Sequence, residues 1–244
     1  MIMAQDLGAT LEDFRRTHPV KRVMWNGKPY TYLVSGEGEQ AVFLLPGGLG
    51  IGEPFFLHML DLGQEFKVIA PSYPGATSLD ELASGMHHIA EVEDTIRYSV
   101  VGQSAGGLVA QVLVRKFPQH LEKVVLSHTS TVTIDTSKVE IAARVSGMKK
   151  RLRLLRLVPF FVIKRKLMNS IDAIVETMRP DELYFWRGYF EYVFGMRTKG
   201  DQIAMMNMLI DFATHYRFAP SDLDGWPGKI MILDSDSDAS IPQS

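Results

Sequence analysis

The chain has 244 residues, of which 46% are hydrophobic and 22% charged, and its 26 Lys and Arg oppose 28 Asp and Glu for a net charge of −2. These values are typical of a globular protein, so they exclude a disordered or fibrous chain, and the apolar runs are too short to span a bilayer. The lack of cysteine excludes disulfides, thiol catalysis and cysteine-based zinc sites. Acidic residues interrupt the first twenty positions where a signal peptide needs an apolar run, so we expect a cytoplasmic location.

Helical spacing of Leu7, Leu11 and Phe14 predicts a peripheral helix at the N-terminus. Strand-like runs at 20–25 and 28–35 flank Asn26-Gly27, a pair typical of a hairpin turn. The next predicted elements are a strand at 41–45, a helix at 53–63, a strand at 66–70, a helix from about 79 to 92, a strand at 98–101, a helix at 108–114 and a strand at 123–128.

After these elements, residues 131–228 have a mostly helical pattern, and strand character returns at 229–234. Alternating strands and helices predict a mostly parallel α/β sheet flanked by helices. We therefore predict a core formed by residues 1–130 and 229–244, with a helical cap inserted at 131–228.

The predicted cap has an uneven charge, because residues 141–170 contain no acid and nine basic residues: Arg144, Lys149, Lys150, Arg151, Arg153, Arg156, Lys164, Arg165 and Lys166. The simplest interpretation is a solvated helix face. The alternative is a surface for anionic lipid or an acidic partner, because neighbouring leucines and Phe160 supply an apolar side. We do not expect nucleic-acid binding, since the rest of the chain is acidic and no known binding module is present.

The segment Gly102-Gln103-Ser104-Ala105-Gly106 has the G-x-S-x-G spacing of a nucleophile elbow, and it lies between a predicted strand and a predicted helix. In such a turn the serine hydroxyl projects above the sheet, and the following helix directs its free N–H groups towards it. We predict Ser104 as a catalytic nucleophile. The alternative is a glycine-rich turn with an incidental serine.

A second glycine turn, Pro46-Gly47-Gly48, ends an earlier predicted strand, where this architecture places a donor to a reacting oxyanion. The predicted oxyanion hole consists of the backbone N–H groups of Gly48 and Ala105. A phosphate-binding loop is disfavoured, because neither a Gly-Lys-Ser/Thr ending nor G-x-G-x-x-G spacing is present. We expect neither a cofactor nor a metal.

Three alternate aspartates, Asp234, Asp236 and Asp238, follow the last predicted strand and therefore follow Ser104 in the order of a Ser-Asp-His triad. They are candidates for the catalytic acid. A cation site is the alternative, but an EF-hand loop is excluded because the required Gly and terminal Glu are missing.

These motifs resemble the esterase and proline-iminopeptidase-like branch of the α/β-hydrolase superfamily, at 44–50 and at 100–107. The resemblance implies an α/β-hydrolase fold and hydrolysis of a carboxylic ester or amide through an acyl-serine. Because the family's acid commonly precedes a proline by four residues, the resemblance places it at Asp238, before Pro242, with Asp236 second. The family usually has His where this chain has Pro46, which leaves the backbone donors possible.

The catalytic histidine of that family follows the acid, but no histidine follows Asp238 in this sequence. Loss of this residue from a serine triad lowers turnover by about a millionfold. We therefore expect either a shortened form of a hydrolase or a non-catalytic binding or scaffold protein. A weaker similarity to maspardin, an interaction protein, at 159–161 and 68–74 favours the second. His128, at a strand end, is a candidate substitute base.

Without the family's eighth strand, the strand at 229–234 is expected to be an exposed edge, with lowered stability or with pairing to a second chain. The predicted cap also contains many aromatic and methionine residues, which are Tyr184, Phe185, Trp186, Tyr189, Phe190, Tyr192, Phe194, Met205, Met206 and Met208. We expect most of them to form cap core. The remainder would line a pocket for a small-molecule substrate with an apolar acyl or aromatic group.

Overall fold

The computed structural model of the chain describes residues 4–75, 78–175 and 179–235. Within them the strands are β1 (Lys21–Trp25), β2 (Lys28–Ser35), β3 (Ala41–Leu45), β4 (Lys67–Ser72), β5 (Tyr98–Gln103), β6 (Leu121–Ser127) and β7 (Lys229–Leu233). The helices are α1 (Ala4–Thr17), α2 (Phe56–Leu62), α3 (Leu79–Val92), α4 (Ala105–Lys116), α5 (Lys138–Leu157), α6 (Phe160–Val175), α7 (Pro180–Met196) and α8 (Lys199–His215).

The seven strands form a single sheet in the order β1-β2-β4-β3-β5-β6-β7. The β1–β2 and β2–β4 pairs are antiparallel, and every other pair is parallel. The mostly parallel sheet with flanking helices confirms the predicted fold class. The carboxyl ends of β3, β5, β6 and β7 consequently lie at one edge of the sheet, where ligands bind in open α/β folds.

The Asn26-Gly27 hairpin is confirmed. Trp25 pairs with Lys28, and Asn26 and Gly27 have φ angles of 48° and 73°. Positive φ at both central residues defines the two-residue turn whose twist matches that of the flanking strands.

Side chains of the central strands alternate between two hydrophobic layers, as the period of two in a strand requires. Phe43 packs with α3 and α4, whereas its neighbour Leu44 packs with α1 and α2. The N-terminal helix is therefore not peripheral. Leu11 and Phe14 are buried in the second layer, because α1 covers the sheet face beside α2.

Helices α5 to α8 lie between β6 and β7 in the chain, and we call them the helical insertion. Their boundaries agree with the helical pattern predicted for this stretch. Tyr189 and Val193 of α7 join the layer of α1 and α2, while Met208 and Phe212 of α8 join the layer of α3 and α4. Division of the chain into separate core and cap domains stays a prediction.

Helix α5 carries most of the basic run and packs against α8. Its carboxyl end is capped by Lys199, whose Nζ donates to the carbonyl oxygens of Arg156 (2.6 Å) and Val158 (2.9 Å). Nearby, the apolar side chains of Leu157 and Phe161 are exposed. No helix among the described residues has both the length and the apolar character needed to cross a membrane.

Strand β7 pairs with β6 on one side and is the last strand of the sheet within the described residues. All five of its side chains are exposed, including Met231 at 57% and Ile232 at 73%. The expected exposed edge is therefore present in this part of the chain. Pairing of that edge with a second chain stays a prediction.

Candidate active site

Ser104 occupies the turn between β5 and α4 with φ 51° and ψ −115°. This backbone conformation is rare for a residue with a side chain and costs on the order of 1–3 kcal/mol. Its surroundings hold it in place: the Ser104 N–H donates to the carbonyl of Ser127 (2.9 Å), and the Ser104 carbonyl accepts from Gly107 N–H (2.9 Å) and Thr129 Oγ1 (2.7 Å). The serine side chain is exposed at the carboxyl edge of the sheet.

Three glycines allow the elbow to pack without side-chain clashes. A Cβ placed on Gly102 would lie 2.6 Å from the Gly106 carbonyl oxygen, and one on Gly106 would lie 2.2 Å from that of Leu45. A Cβ on Gly107 would lie 2.5 Å from the Thr129 side chain. The G-x-S-x-G pattern therefore marks positions where α4 approaches β3 and β5 through backbone contact.

The loop after β3 lies directly against the elbow. A Cβ placed on Gly47 would lie 3.3 Å from Ser104 Cβ, while Gly48 is exposed with open space around it. Tyr73 fixes the loop, because its Oη donates to the Pro46 carbonyl (2.9 Å). Burial raises the pKa of Tyr73 well above its ordinary range, so this hydroxyl stays protonated and able to donate.

Ala105 is the first residue of α4, so its N–H belongs to the helix turn that has no acceptor inside the helix. The structure thus brings Ser104, Ala105 and the loop containing Gly48 together at one edge of the sheet. Chemically, this arrangement offers an exposed hydroxyl beside the N-terminus of α4 and the loop after β3.

The structure describes only one of the three aspartates predicted as candidates for the catalytic acid. Asp234 follows β7 at the same edge, and its Oδ1 accepts a hydrogen bond from the N–H of Ser235 (2.9 Å). Asp236 and the preferred candidate Asp238 lie outside the described residues. The choice among the three aspartates stays a prediction.

His128 follows β6 with φ 46°, and its N–H donates to the Leu233 carbonyl (2.9 Å). Its Nδ1 lies 2.9 Å from Oγ of Ser127. Within the described residues it makes no hydrogen bond with Ser104. The structure therefore places His128 at the same edge as the serine but in contact with a different hydroxyl.

The predicted aromatic and methionine residues lie in several environments, and Tyr184 and Tyr192 are exposed at 83% and 50%. Phe185, Trp186 and Tyr189 pack around Phe56 of α2, so they form the packed interior, as expected for most of the set. A cavity of about 20 Å³ lies where the helical insertion meets the sheet. Its walls are Tyr73, Pro74, Gly75, Leu82, Arg197, Asp201, Ala204, Met205 and Met208, and we call this region the seam.

Two seam residues, Tyr73 and Arg197, were not predicted as site residues. Tyr73 follows a buried strand, a position common to all strands of this sheet, and Arg197 is one of many basic residues in the insertion. What distinguishes Tyr73 and Arg197 from similar residues is that both contact the loop after β3, Tyr73 at Pro46 and Arg197 at Gly50. That contact depends on long-range packing, which leaves no local sequence signal.

A separate cavity of about 1030 Å³ opens at the amino ends of β3 and β4, the opposite end of the sheet from Ser104. Three of its charged groups pair with one another, since Glu93 binds Lys21 (2.8 Å) and Lys67 (3.1 Å). Among the described residues, no cluster of His, Asp or Glu could hold a metal ion.

No family model matches the chain. An uncharacterised protein of Mycobacterium tuberculosis is 29% identical over 164 residues, which is 63% of this chain and 45% of that protein. The match thus spans about half the length of this curated relative.

Solved structures give a clearer result for the fold. A hydrolase from Pseudomonas aeruginosa superimposes with a TM-score of 0.67 at 15% identity, over 90% of this chain and 91% of that one. An esterase from Thermogutta terrifontis superimposes with a TM-score of 0.63 at 18% identity, over 88% of this chain and 79% of that one. The chain has the α/β-hydrolase fold, as the sequence motifs predicted.

Proposed function

We propose that this chain contains the nucleophile and oxyanion hole of a serine hydrolase that cleaves a carboxylic ester or amide through an acyl-serine. The observation that carries the proposal is the backbone of Ser104, at φ 51° and ψ −115°, between a buried strand and a helix N-terminus. Strain of this kind at an exposed hydroxyl is typical of a site that positions a reacting atom.

In the proposed reaction, Oγ of Ser104 attacks the substrate carbonyl carbon while a general base takes its proton. The N–H groups of Gly48 and Ala105 donate to the oxyanion, and each such donor contributes about 3 kcal/mol to the transition state. The C–O or C–N bond then breaks, and the base returns the proton to the leaving group. Water then attacks the acyl-serine while the base takes its proton, the bond between the acyl carbon and Oγ of Ser104 breaks, and the base returns the proton to Oγ as the carboxylic acid leaves.

The proposal assigns the catalytic acid to Asp238, with Asp236 second, and requires a histidine as base. Among the described residues no histidine forms a hydrogen bond with Ser104, and His128 contacts Ser127 instead. The proposed substrate is a small molecule with an apolar acyl or aromatic group, the preference that the aromatic and methionine side chains of the helical insertion would give.

Steady-state hydrolysis of p-nitrophenyl butyrate by the full-length protein tests this proposal. We expect Ser104→Ala to lower kcat by about ten-thousand-fold or more, as loss of a triad nucleophile does. Ser130→Ala is the matched control, since Ser130 is exposed three residues beyond β6 and is expected to leave kcat within about twofold. Equal activity in Ser104→Ala and the wild type would contradict the proposal.

The alternative function is a non-catalytic binding or scaffold protein that keeps the fold. It is favoured by the positions of the seven histidines, none of which follows Asp238 in the sequence. The same assay separates the two functions, because a scaffold would show no hydrolysis that depends on Ser104.

A further inference from the structure

Arg197 extends from the helical insertion to the loop that follows β3. A Cβ placed on Gly50 of that loop would lie 3.2 Å from Nη2 of Arg197 and 3.3 Å from the ring of Tyr73. Gly50 has a φ of 61°, a conformation that favours glycine. The guanidinium therefore touches the same loop that carries Gly48, the proposed oxyanion donor.

The guanidinium of Arg197 lacks an acceptor. Its Nε is buried and has no hydrogen-bond partner, and the described residues supply the side chain with no other hydrogen bond or ion pair. Burial lowers the pKa of Arg197, an effect that the negative charge of Asp201 opposes. Even so, an arginine remains charged at neutral pH.

Asp201 is close enough to influence Arg197, but it is engaged elsewhere. Its Oδ2 accepts from the N–H and the Oγ1 of Thr198, both at 2.8 Å, and so forms the capping box of α8. The nearest described carboxylate therefore serves the helix terminus. The guanidinium of Arg197 is thus open to an acceptor carried by a bound molecule.

Arg15, another partly buried arginine, has the carboxylate partner that Arg197 lacks. Arg15 donates from Nε to Glu53 Oε1 (2.7 Å) and from Nη2 to Glu53 Oε2 (2.8 Å), a bidentate pair. That geometry satisfies the planar donor fork of the guanidinium. The guanidinium of Arg197 has the same donor groups, but no described carboxylate accepts hydrogen bonds from them.

We propose that Arg197 binds a carboxylate carried by the substrate, so that the preferred substrates are esters or amides with a free acid group. A flat carboxylate suits the planar donor fork, with which it forms two parallel hydrogen bonds. The cavity of about 20 Å³ beside the fork has room for little more than a water molecule, so we place the carboxylate against the Nη atoms rather than inside the cavity. The apolar side chains of Leu82, Met205 and Met208 line the seam beside the guanidinium, and an apolar surrounding strengthens the attraction between a guanidinium and a bound carboxylate.

This inference rests on the proposed hydrolase activity, and it adds a carboxylate to the apolar acyl or aromatic group proposed for the substrate. We assign Arg197 a role in substrate specificity, not in the chemical step. Its removal should therefore distinguish an anionic ester from a neutral one, whereas the loss of a merely structural residue would affect both alike.

Calorimetric binding in full-length protein carrying Ser104→Ala tests the inference without turnover. The matched ligands are monophenyl glutarate, which carries a carboxylate, and phenyl pentanoate, which replaces it with a methyl group. We expect Arg197→Met to weaken binding of monophenyl glutarate by about tenfold or more, the loss expected for a charge-assisted hydrogen bond, and to leave phenyl pentanoate within about twofold. Arg197→Lys should retain part of the preference, since a point charge lacks the fork.

The control variant is Arg97→Met, because Arg97 pairs with Glu122 (3.4 Å) at the opposite end of the sheet. It should change binding of neither ligand. Equal weakening of both ligands by Arg197→Met, or no weakening of either, would overturn the inference. Stronger competition by inorganic phosphate than by glutarate would also overturn the assignment to a carboxylate.

The wild-type enzyme separates this inference from the proposed function. Turnover of both esters with a preference for monophenyl glutarate that Arg197→Met abolishes supports both proposals. Selective binding without any turnover supports the anion site and contradicts the hydrolase. Turnover without a preference that depends on Arg197 supports the hydrolase and contradicts the anion site.

Discussion

The elbow at Ser104 and the helical insertion use glycine in opposite ways. At the elbow, a Cβ on Gly102 or Gly106 would lie 2.6 or 2.2 Å from a backbone oxygen, so the glycines permit contact between backbones. In the insertion, Gly147 and Gly188 have no atom within 4 Å of the same position. The elbow sequence is therefore dictated by packing, whereas the insertion sequence is only loosely constrained by it.

Burial of the helices shows the same difference. Helix α4, which follows the elbow, buries nine of its twelve residues. Helix α5, described along its whole length of 20 residues, buries Leu152 alone. Packing therefore constrains the sequence of α4, beside the proposed nucleophile, more than that of α5.

The largest expected effect is that of Gly106→Ala at the elbow. The added methyl group would meet the Leu45 carbonyl oxygen at 2.2 Å, so α4 must move away from β3. We expect the free energy of unfolding to fall by about 3 kcal/mol, measured by urea denaturation. A loss below about 0.5 kcal/mol would show that the elbow is not packed as described.

A smaller, pH-dependent effect is expected at His87, in the layer of α3 and α4. Burial, then the charge of His120, and also that of His88 lower its pKa from the ordinary value of 6.5, against an opposing effect of Glu91. Its ring also stacks on Phe117. The unfolded chain then binds more protons, so the stabilisation is fully present above pH 6.5 and is lost as the pH falls from 6.5 through the lowered pKa of the folded state.

Urea denaturation between pH 7.5 and 5.5 measures this dependence. His87→Gln should flatten the fall in the free energy of unfolding over this range, because it removes the titrating group. His58→Gln is the control, since His58 is exposed on α2. A wild-type stability that rises on acidification, or the same flattening by both variants, would refute the account of His87.

The smallest expected effect is that of Gly147→Ala in α5. With no atom within 4 Å, the methyl group meets no obstacle, and alanine has the higher helix propensity. We expect the free energy of unfolding to rise by up to about 1 kcal/mol. Thermal denaturation of Gly147→Ala and Gly106→Ala, measured together, tests the contrast between the two glycines. If both variants were destabilised, the difference in packing between α5 and the elbow would be contradicted.

Local patterns predicted most of the fold correctly. Asn26-Gly27 identified the hairpin because that pair favours positive φ, and the glycines around Ser104 identified the elbow because only they permit the close backbone contact. The boundaries of α3 and the helical character of the insertion also followed from periodicity.

Long-range packing was not predictable in the same way. Leu11 and Phe14 were assigned to a peripheral helix because an amphipathic pattern does not say which surface it will cover. Arg197 was not identified because its special feature is an unpaired guanidinium at the seam, which depends on residues distant in sequence. The catalytic acid stays a prediction, since Asp236 and Asp238 lie outside the described residues.

The most direct test of the central claim is the intact mass of the full-length protein after treatment with a fluorophosphonate, followed by peptide mapping. An activated serine forms one covalent adduct. We predict a single adduct on Ser104 that is absent from Ser104→Ala and present in Ser130→Ala. No adduct on the wild type, or an adduct that persists in Ser104→Ala, would contradict the assignment of Ser104 as the nucleophile.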